Sequence, residues 1–303
     1  SQDDEAESMT DLNTTPITEC YPERALSLQV STQSMPVLRD HVIDGMAVVP
    51  LALIIEWMAH GAMHNYPGMQ FIGFDNPRIS KGIRLTADEE YDVELRNQQG
   101  RFEEDLMRIP MQVVAAGSKR IHASGDILLS SFRELTAPDA MSIDVDGDKA
   151  QSSEQVYASG QLFHGPTLHG IQQVRGEGPE GIIGTAQAAP SPQEWMAAPL
   201  RYDWLSDPMV LDSSFQMMIL WSFAEKNQGS LPMYAGRYRQ FRESFGHTPV
   251  SVQCRVVKQT GQVIEADIDF IDSENGEVIA RLEGYQCTMI STLEQSFANT
   301  TLI

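Results

Sequence analysis

Cysteine is scarce in this chain: Cys20, Cys254 and Cys287 are the only three in 303 residues. An odd number so widely spaced builds neither a disulfide framework nor a zinc site, and suits a reducing cytoplasm. Long apolar runs are lacking too. A membrane span needs about 20 apolar residues in succession, and the richest stretch, Val48 to Ala59, is interrupted by Pro50 and Glu56. The amino end, SQDDEAESMTDLNTTPITE, does not follow the basic-then-apolar order of a secretory leader. Cations are outnumbered, with 21 Lys and Arg against 42 Asp and Glu and a formal net charge of −21. That balance argues against nucleic acid or an anionic membrane surface as the main partner. An acidic partner would need a local basic patch. The densest is Arg237-Tyr-Arg239-Gln-Phe-Arg242, and Lys81 with Arg84 forms a weaker one; either reads equally well as a solvated strand face.

Several signatures of chemistry are missing as well. No GxSxG elbow or reactive-cysteine motif is present, which counts against a covalent acyl-enzyme. Gly176-Glu-Gly178-Pro-Glu-Gly181 matches GxGxxG, but a strand-like run follows it, so a hairpin is expected rather than a nucleotide-binding helix. His60 and His64 have helical i, i+4 spacing but lack the Glu of a zinc protease, and Gly61 between them reads as a fraying helix end.

What is present is a pattern that occurs twice. Residues 1–18 have no apolar periodicity and read as disordered or as a linker. RALSLQVST alternates like a strand, PLALIIEWMAHGAMH reads as a buried helix opened by Pro50, and MQFIGF, RISKGIRL, EYDVELR, MRIPMQVVAA and KRIHASGDILLS follow as strands. A connector rich in Pro, Gly and Asp precedes the second round: a short helix (SSEQVYAS), two strands, the helix DPMVLDSSFQMMILWSFAEK and four more strands beginning PMYAGRYRQF. A helix apolar on most sides must be enclosed, and a curved antiparallel sheet can enclose it. The expectation is an α+β chain of two helix-in-sheet units, 19–135 and 153–292, joined by a connector over 136–152. The two units are expected to share one continuous sheet, and residues 293–303 to form a loose tail.

Three segments could carry chemistry. In His41-Val-Ile-Asp-Gly45-Met-Ala-Val-Val-Pro50 a loop His precedes a Gly and a helix-starting Pro. The free amides there could polarise a carbonyl oxygen; the plain alternative is a loop His beside an ordinary turn. In Asp207-Pro-Met-Val-Leu-Asp212-Ser-Ser-Phe-Gln216, Asp212 and Gln216 share a helix face among apolar neighbours. Burial there should raise the Asp212 pKa and fit it to act as an acid; the alternative is a helix cap, a role Asp207 fits better. Tyr157-Ala-Ser-Gly160-Gln-Leu-Phe-His164-Gly165-Pro166 is either a tight turn or part of a site.

Taken in order, these motifs resemble those of the dehydratase domains of polyketide and fatty acid synthases, which have the double hotdog fold. HxxxGxxxxP is complete as His41, Gly45 and Pro50; DxxxQ, in a DPxxLDxxxQ setting, is Asp212 and Gln216. A Gly165-Pro166 turn lies between them, and Leu231-Pro232 follows the second helix. The runs DHVIDGMAVVP and GQLFHGPTLHGI look most like the dehydratase at the carboxyl end of the large multidomain subunit of bacterial polyunsaturated fatty acid synthases. Two positions depart from the family: His164 stands where Tyr usually precedes the GP pair, and Met233 follows Leu-Pro in place of Phe or Leu.

The resemblance implies dehydration of 3-hydroxyacyl thioesters carried on the phosphopantetheine of acyl carrier protein. His41 would be the base and Asp212 the acid. Gly45, Pro50, His164, Gly165 and Gln216 would be the substrate-binding residues, with the Gly45 amide on the thioester carbonyl and Gln216 orienting Asp212 or the hydroxyl. It further implies a cytoplasmic chain without a metal or bound cofactor, working beside other domains of its synthase, with a homodimer as an option. Three rival activities use the same scaffold: double-bond isomerisation, cyclisation as in product-template domains, and thioester hydrolysis. A non-catalytic structural domain is the rival of another class.

Overall fold

The computed structural model describes residues 23–303, so the linker expected over residues 1–18 lies outside the described residues. Two helices that are apolar nearly all round organise the chain. Every residue from Leu51 to Ala62 of the helix Leu51–Asn65 is buried, as is every residue from Pro208 to Ser222 of the helix Pro208–Lys226. Each is enclosed by antiparallel strands whose alternating residues turn inward, as in Tyr91–Asn97, where Val93, Leu95 and Asn97 are buried. In the first half the strands lie in the order Glu23–Val30, Tyr91–Asn97, Leu106–Ala115, Ile121–Ser130 and Gln70–Ile79. In the second the order is Val278–Ile290, Val263–Asp272, Val250–Thr260, Gly181–Ala186 and Ile171–Gly178. This is the α+β double hotdog architecture.

The two halves share one 14-stranded sheet. The short strand Arg237–Gln240 pairs with Gln70–Ile79 on one side, Tyr238 opposite Phe74, and with Val278–Ile290 on the other, Tyr238 opposite Leu282. Tyr238 also stacks on Phe74 with ring centroids 4.6 Å apart. Below the sheet, the buried Glu56 of the first helix accepts hydrogen bonds from the Leu205 and Ser206 amides, the Ser206 hydroxyl and the His60 ring. Burial alone would raise the Glu56 pKa; His60 and these donors outweigh it and hold the carboxylate below its ordinary value. Glu56 thus ties the first helix to the approach to the second, and His60 is committed to it.

Four local expectations are corrected. The run RISKGIRL is no single strand: its start finishes Gln70–Ile79, a bend follows, and only Arg84–Leu85 pairs again. PMYAGRYRQF breaks at Ala235-Gly236 into Gly229–Tyr234 and Arg237–Gln240. Gly61 is no fraying end, since the helix runs on to Asn65; a Cβ there would meet the Met111 methyl at 2.8 Å, so Gly61 lets helix and sheet approach closely. The tail is not loose. Leu293–Ala298 is helical, Phe297 is buried against Phe163, and the last residues lie along the Asp44-Gly45 turn.

Candidate active site at the seam between the halves

His41 follows a 3-10 turn, Pro36–Asp40, and leads into a small hairpin, Val42–Ile43 with Met46–Val48. The hairpin's two-residue loop is Asp44-Gly45, both with positive φ (53° and 74°), the conformation that makes Asp-Gly a strong hairpin signal. Folding back in this way brings the Val48 carbonyl to the His41 ring, where Nδ1 lies 2.6 Å from it. A carbonyl only accepts, so Nδ1 carries the proton and Nε2 keeps its lone pair. Burial lowers the His41 pKa to about 4, with the Val48 bond opposing the shift, so the ring is neutral at physiological pH.

The second half comes to meet it. The backbones of His41 and His164 form a bridge, and Asp40 fixes the approach: its carbonyl accepts from the Gly165 amide at 2.7 Å and its carboxylate from the Thr167 amide at 2.7 Å. His164 Nε2 lies 3.4 Å from Asp212 Oδ2. One ligand-type atom from each of His41, His164 and Asp212 falls within 4.8 Å of the others. Asp212 sits in the first turns of the second helix, which is capped by Asp207 accepting from the Val210 amide. Desolvation raises the Asp212 pKa from 3.8 to about 7, opposed by a 2.8 Å hydrogen bond from Gln216 Nε2. The Gln216 amide is fixed in turn: it donates to the Leu168 carbonyl and accepts from the Tyr157 hydroxyl at 2.8 Å. Burial also pushes the His164 pKa well below its ordinary value, helped by His41 and His169.

These side chains face a cavity of about 180 Å³ walled mainly by apolar groups, with Ile43, Val48, Val49 and Leu51 from the first half and Phe163, Phe215 and Ile219 from the second. Ile79, Gly82, Leu231 and Pro232, all partly exposed, form its mouth. A wider depression of about 600 Å³ lies beside His60, His64 and Tyr202, but the His60 ring there is already bonded to Glu56. No helix among the described residues is long and apolar enough to cross a membrane.

The structure therefore gathers His41, His164, Asp212 and Gln216, and it corrects the parts expected of Gly45, Pro50 and Gly165. The Gly45 amide donates to the Asn299 carbonyl at 3.0 Å, and its own carbonyl accepts from the Ile303 amide. It has no proton to offer a thioester oxygen; its work is the turn. Pro50 is the N-cap of the first helix and Gly165 the N-cap of the 3-10 turn Pro166–Leu168, its amide taken by Asp40; neither lines the cavity. The basic patch is also corrected. Arg239 is buried and bound to Asp75 at 2.6 Å, Arg237 is paired with Glu283, and Arg242 with Asp272 and Glu277. Lys81 and Arg84 instead stand exposed on either side of Gly82 at the mouth. Sequence reasoning missed Val48, Asp40 and Tyr157 as positioning residues. Only the Asp-Gly pair, a hairpin signal that places Val48 beside His41, could have found the first of them.

Comparison with known proteins agrees with this architecture. Residues 136–297, more than half of the chain, match the family model described as polyketide synthase dehydratase N-terminal domain. Over 222 residues the chain is 27% identical to a polyunsaturated fatty acid synthase subunit of Thraustochytrium sp., an alignment that takes in 72% of this chain and 8% of that much longer protein. Among solved structures, the dehydratase domain from the CurF module of curacin polyketide synthase superposes with a TM-score of 0.67 at 18% identity, covering 87% of this chain and 92% of that one. GphF dehydratase 1 gives 0.67 at 18%, covering 88% and 93%. At that identity the likeness is one of fold. With the double hotdog sheet, the two enclosed helices and the matched family model together, this chain belongs to the polyketide synthase dehydratase family.

Proposed function

We propose that this domain removes water from 3-hydroxyacyl thioesters carried on acyl carrier protein, giving 2-enoyl thioesters. The observation that carries the reading is that His41 and Asp212 line one apolar cavity with ligand-type atoms within 4.8 Å of each other, burial lowering the pKa of the imidazole and raising that of the carboxyl. His41 Nε2 takes the proton from the α carbon. The electrons of that C–H bond become the new double bond, the β C–O bond breaks, and Asp212 protonates the departing hydroxide to water. The spacing favours syn elimination. With base and acid each at a hydrogen-bonding reach of about 3 Å on opposite faces of the substrate, an anti geometry would need a wider gap. Since the Gly45 amide is engaged, the thioester oxygen is assigned to the first-turn amides of Leu51–Asn65, whose Leu51 lines the cavity. One relative lends support by its own property, since an inactive His-to-Phe variant is known of the curacin CurK dehydratase; another, GphF dehydratase 1, is known in an isomerase-inactive variant.

The second of these, with the extra imidazole of His164 beside Asp212, favours double-bond migration as the second reading. Incubation with a series of 3-hydroxyacyl thioesters separates the two by mass. A product lighter by one water is expected; unchanged mass with a shifted double bond would replace dehydration by isomerisation, and released free acid would replace it by hydrolysis.

The phosphate of the carrier's phosphopantetheine arm calls for cations beside the cavity, where Lys81 and Arg84 flank the lining residue Gly82. Reversing Lys81 (Lys81→Glu) is expected to raise KM for carrier-bound substrate about threefold and to leave a small thioester mimic little affected, with Arg84 kept because it also donates to the Ile43 carbonyl of the hairpin that carries His41. Equal losses on both substrates would remove the docking assignment. Arg237 and Arg239 are unsuited to this test, because Arg239 holds the seam.

A further inference from the structure

His164 has no part in the elimination as written, yet it is buried between the two residues that do. Its Nδ1 has no hydrogen-bond partner among the described residues, and its Nε2 lies 3.4 Å from Asp212 Oδ2. We propose that His41, His164 and Asp212 form a binding site for one first-row divalent cation, Zn²⁺ above the others, and that the ion blocks dehydration when it occupies the site.

The donor set and its support both point this way. Two imidazoles and one carboxylate are the borderline ligands that Zn²⁺ takes, with an open position left for water or substrate. Bonds of about 2.0–2.2 Å to a tetrahedral ion place ligand atoms about 3.4 Å apart. The His164–Asp212 pair already stands at 3.4 Å, and all three residues offer atoms within 4.8 Å of each other, so closing the triangle takes at most about 1.4 Å of approach.

Two of the three ligands are already held from behind. His41 Nδ1 is bonded to the Val48 carbonyl, which leaves Nε2 to bind, and Asp212 Oδ2 is steadied by Gln216. Metal-binding histidines and carboxylates are usually held from behind in this manner. All three residues line the cavity, from which water or substrate could reach a bound ion. The other histidine pair at helical spacing offers no such set, because His60 is bonded to Glu56. An ion on His41 and Asp212 uses the lone pair and the oxygen that the elimination needs, so metal and turnover exclude each other.

The binding claim rests on geometry alone; the blocking claim rests on the dehydratase reading. The test uses the chelator-stripped 303-residue chain titrated with Zn²⁺ in competition with a chromophoric chelator. One ion per chain is expected, with affinity falling at least tenfold in His164→Phe and in His41→Phe. If either variant fails to fold, X-ray absorption of the zinc-loaded wild-type chain must show nitrogen and oxygen ligands with two imidazoles and no sulfur. Absent binding, binding unchanged in both variants, or sulfur ligation would overturn the site. In the dehydration assay one equivalent of Zn²⁺ is expected to remove over nine-tenths of the activity and EDTA to restore it; full activity with the site loaded would overturn the blocking. A chain that binds Zn²⁺ here but forms no enoyl product in EDTA refutes the dehydratase reading and leaves the metal site standing.

Discussion

Replacement of His41 by phenylalanine is expected to lower kcat/KM for a 3-hydroxyacyl thioester by about 10³-fold, within the usual range of roughly 10²–10⁴ for loss of a general base. The ring would keep its packing against Phe163, 4.8 Å away, and His164, 5.1 Å away, so the fold should survive. What disappears is the one cavity nitrogen whose lone pair is set free by a backbone bond, that of Nδ1 to Val48. His164 is poorly placed to take over, because its Nε2 is turned to Asp212. A parallel variant tests the placing of the base. Lengthening the hairpin loop by one residue beside Gly45 should shift Val48 away from the ring and lower kcat with little change in far-UV circular dichroism. Turnover of His41→Phe within tenfold of the wild type would end the assignment of His41 as base.

The scaffold was legible in the sequence because its signals are local. Enclosed helices show as unbroken apolar segments, and the alternation of EYDVELR reports a half-buried strand directly. The positions of His41, Asp212 and Gln216 followed from motifs set within single segments. What stayed hidden depends on partners far along the chain. Arg237, Arg239 and Arg242 look like a free cationic patch in one dimension; the chain's excess of acids supplies Glu283, Asp75 and Asp272 across the sheet to neutralise them. The Gly45 amide looks available until Asn299, far along the chain, takes it. The carboxyl-terminal helix, Leu293–Ala298, is too short to show a repeated period, and it is held by Phe297 against Phe163 and by backbone bonds that no pattern encodes. Tyr157 reaches Asp212 only through Gln216, across 59 positions.

Asp212→Asn is expected to abolish turnover and at the same time to make the protein more stable, with the gain growing from about pH 4 and complete above about pH 7. The loss follows from chemistry: an amide does not give up a proton to departing hydroxide, so a fall of at least about 10²-fold is expected. The gain follows from linkage. In the fold the carboxyl keeps its proton up to about pH 7, whereas the unfolded chain releases it near 3.8. Between these values the folded chain holds the extra proton, so the native state loses stability as pH rises through that window, and the penalty is complete above it. A shift of about three units corresponds to on the order of 4 kcal/mol, which asparagine escapes because it never ionises. The same titration sets the rate profile of the wild type. Activity needs neutral His41, present above about pH 4, and protonated Asp212, present below about pH 7. Between those limits kcat/KM should be level, and above about pH 7 it should fall about tenfold per unit. Denaturant unfolding of both proteins at about pH 4 and about pH 8, with rates measured across the range, checks the two together. An equal stability difference at both pH values, or a rate still level at about pH 9, would show that Asp212 does not hold its proton in the fold and is not the acid.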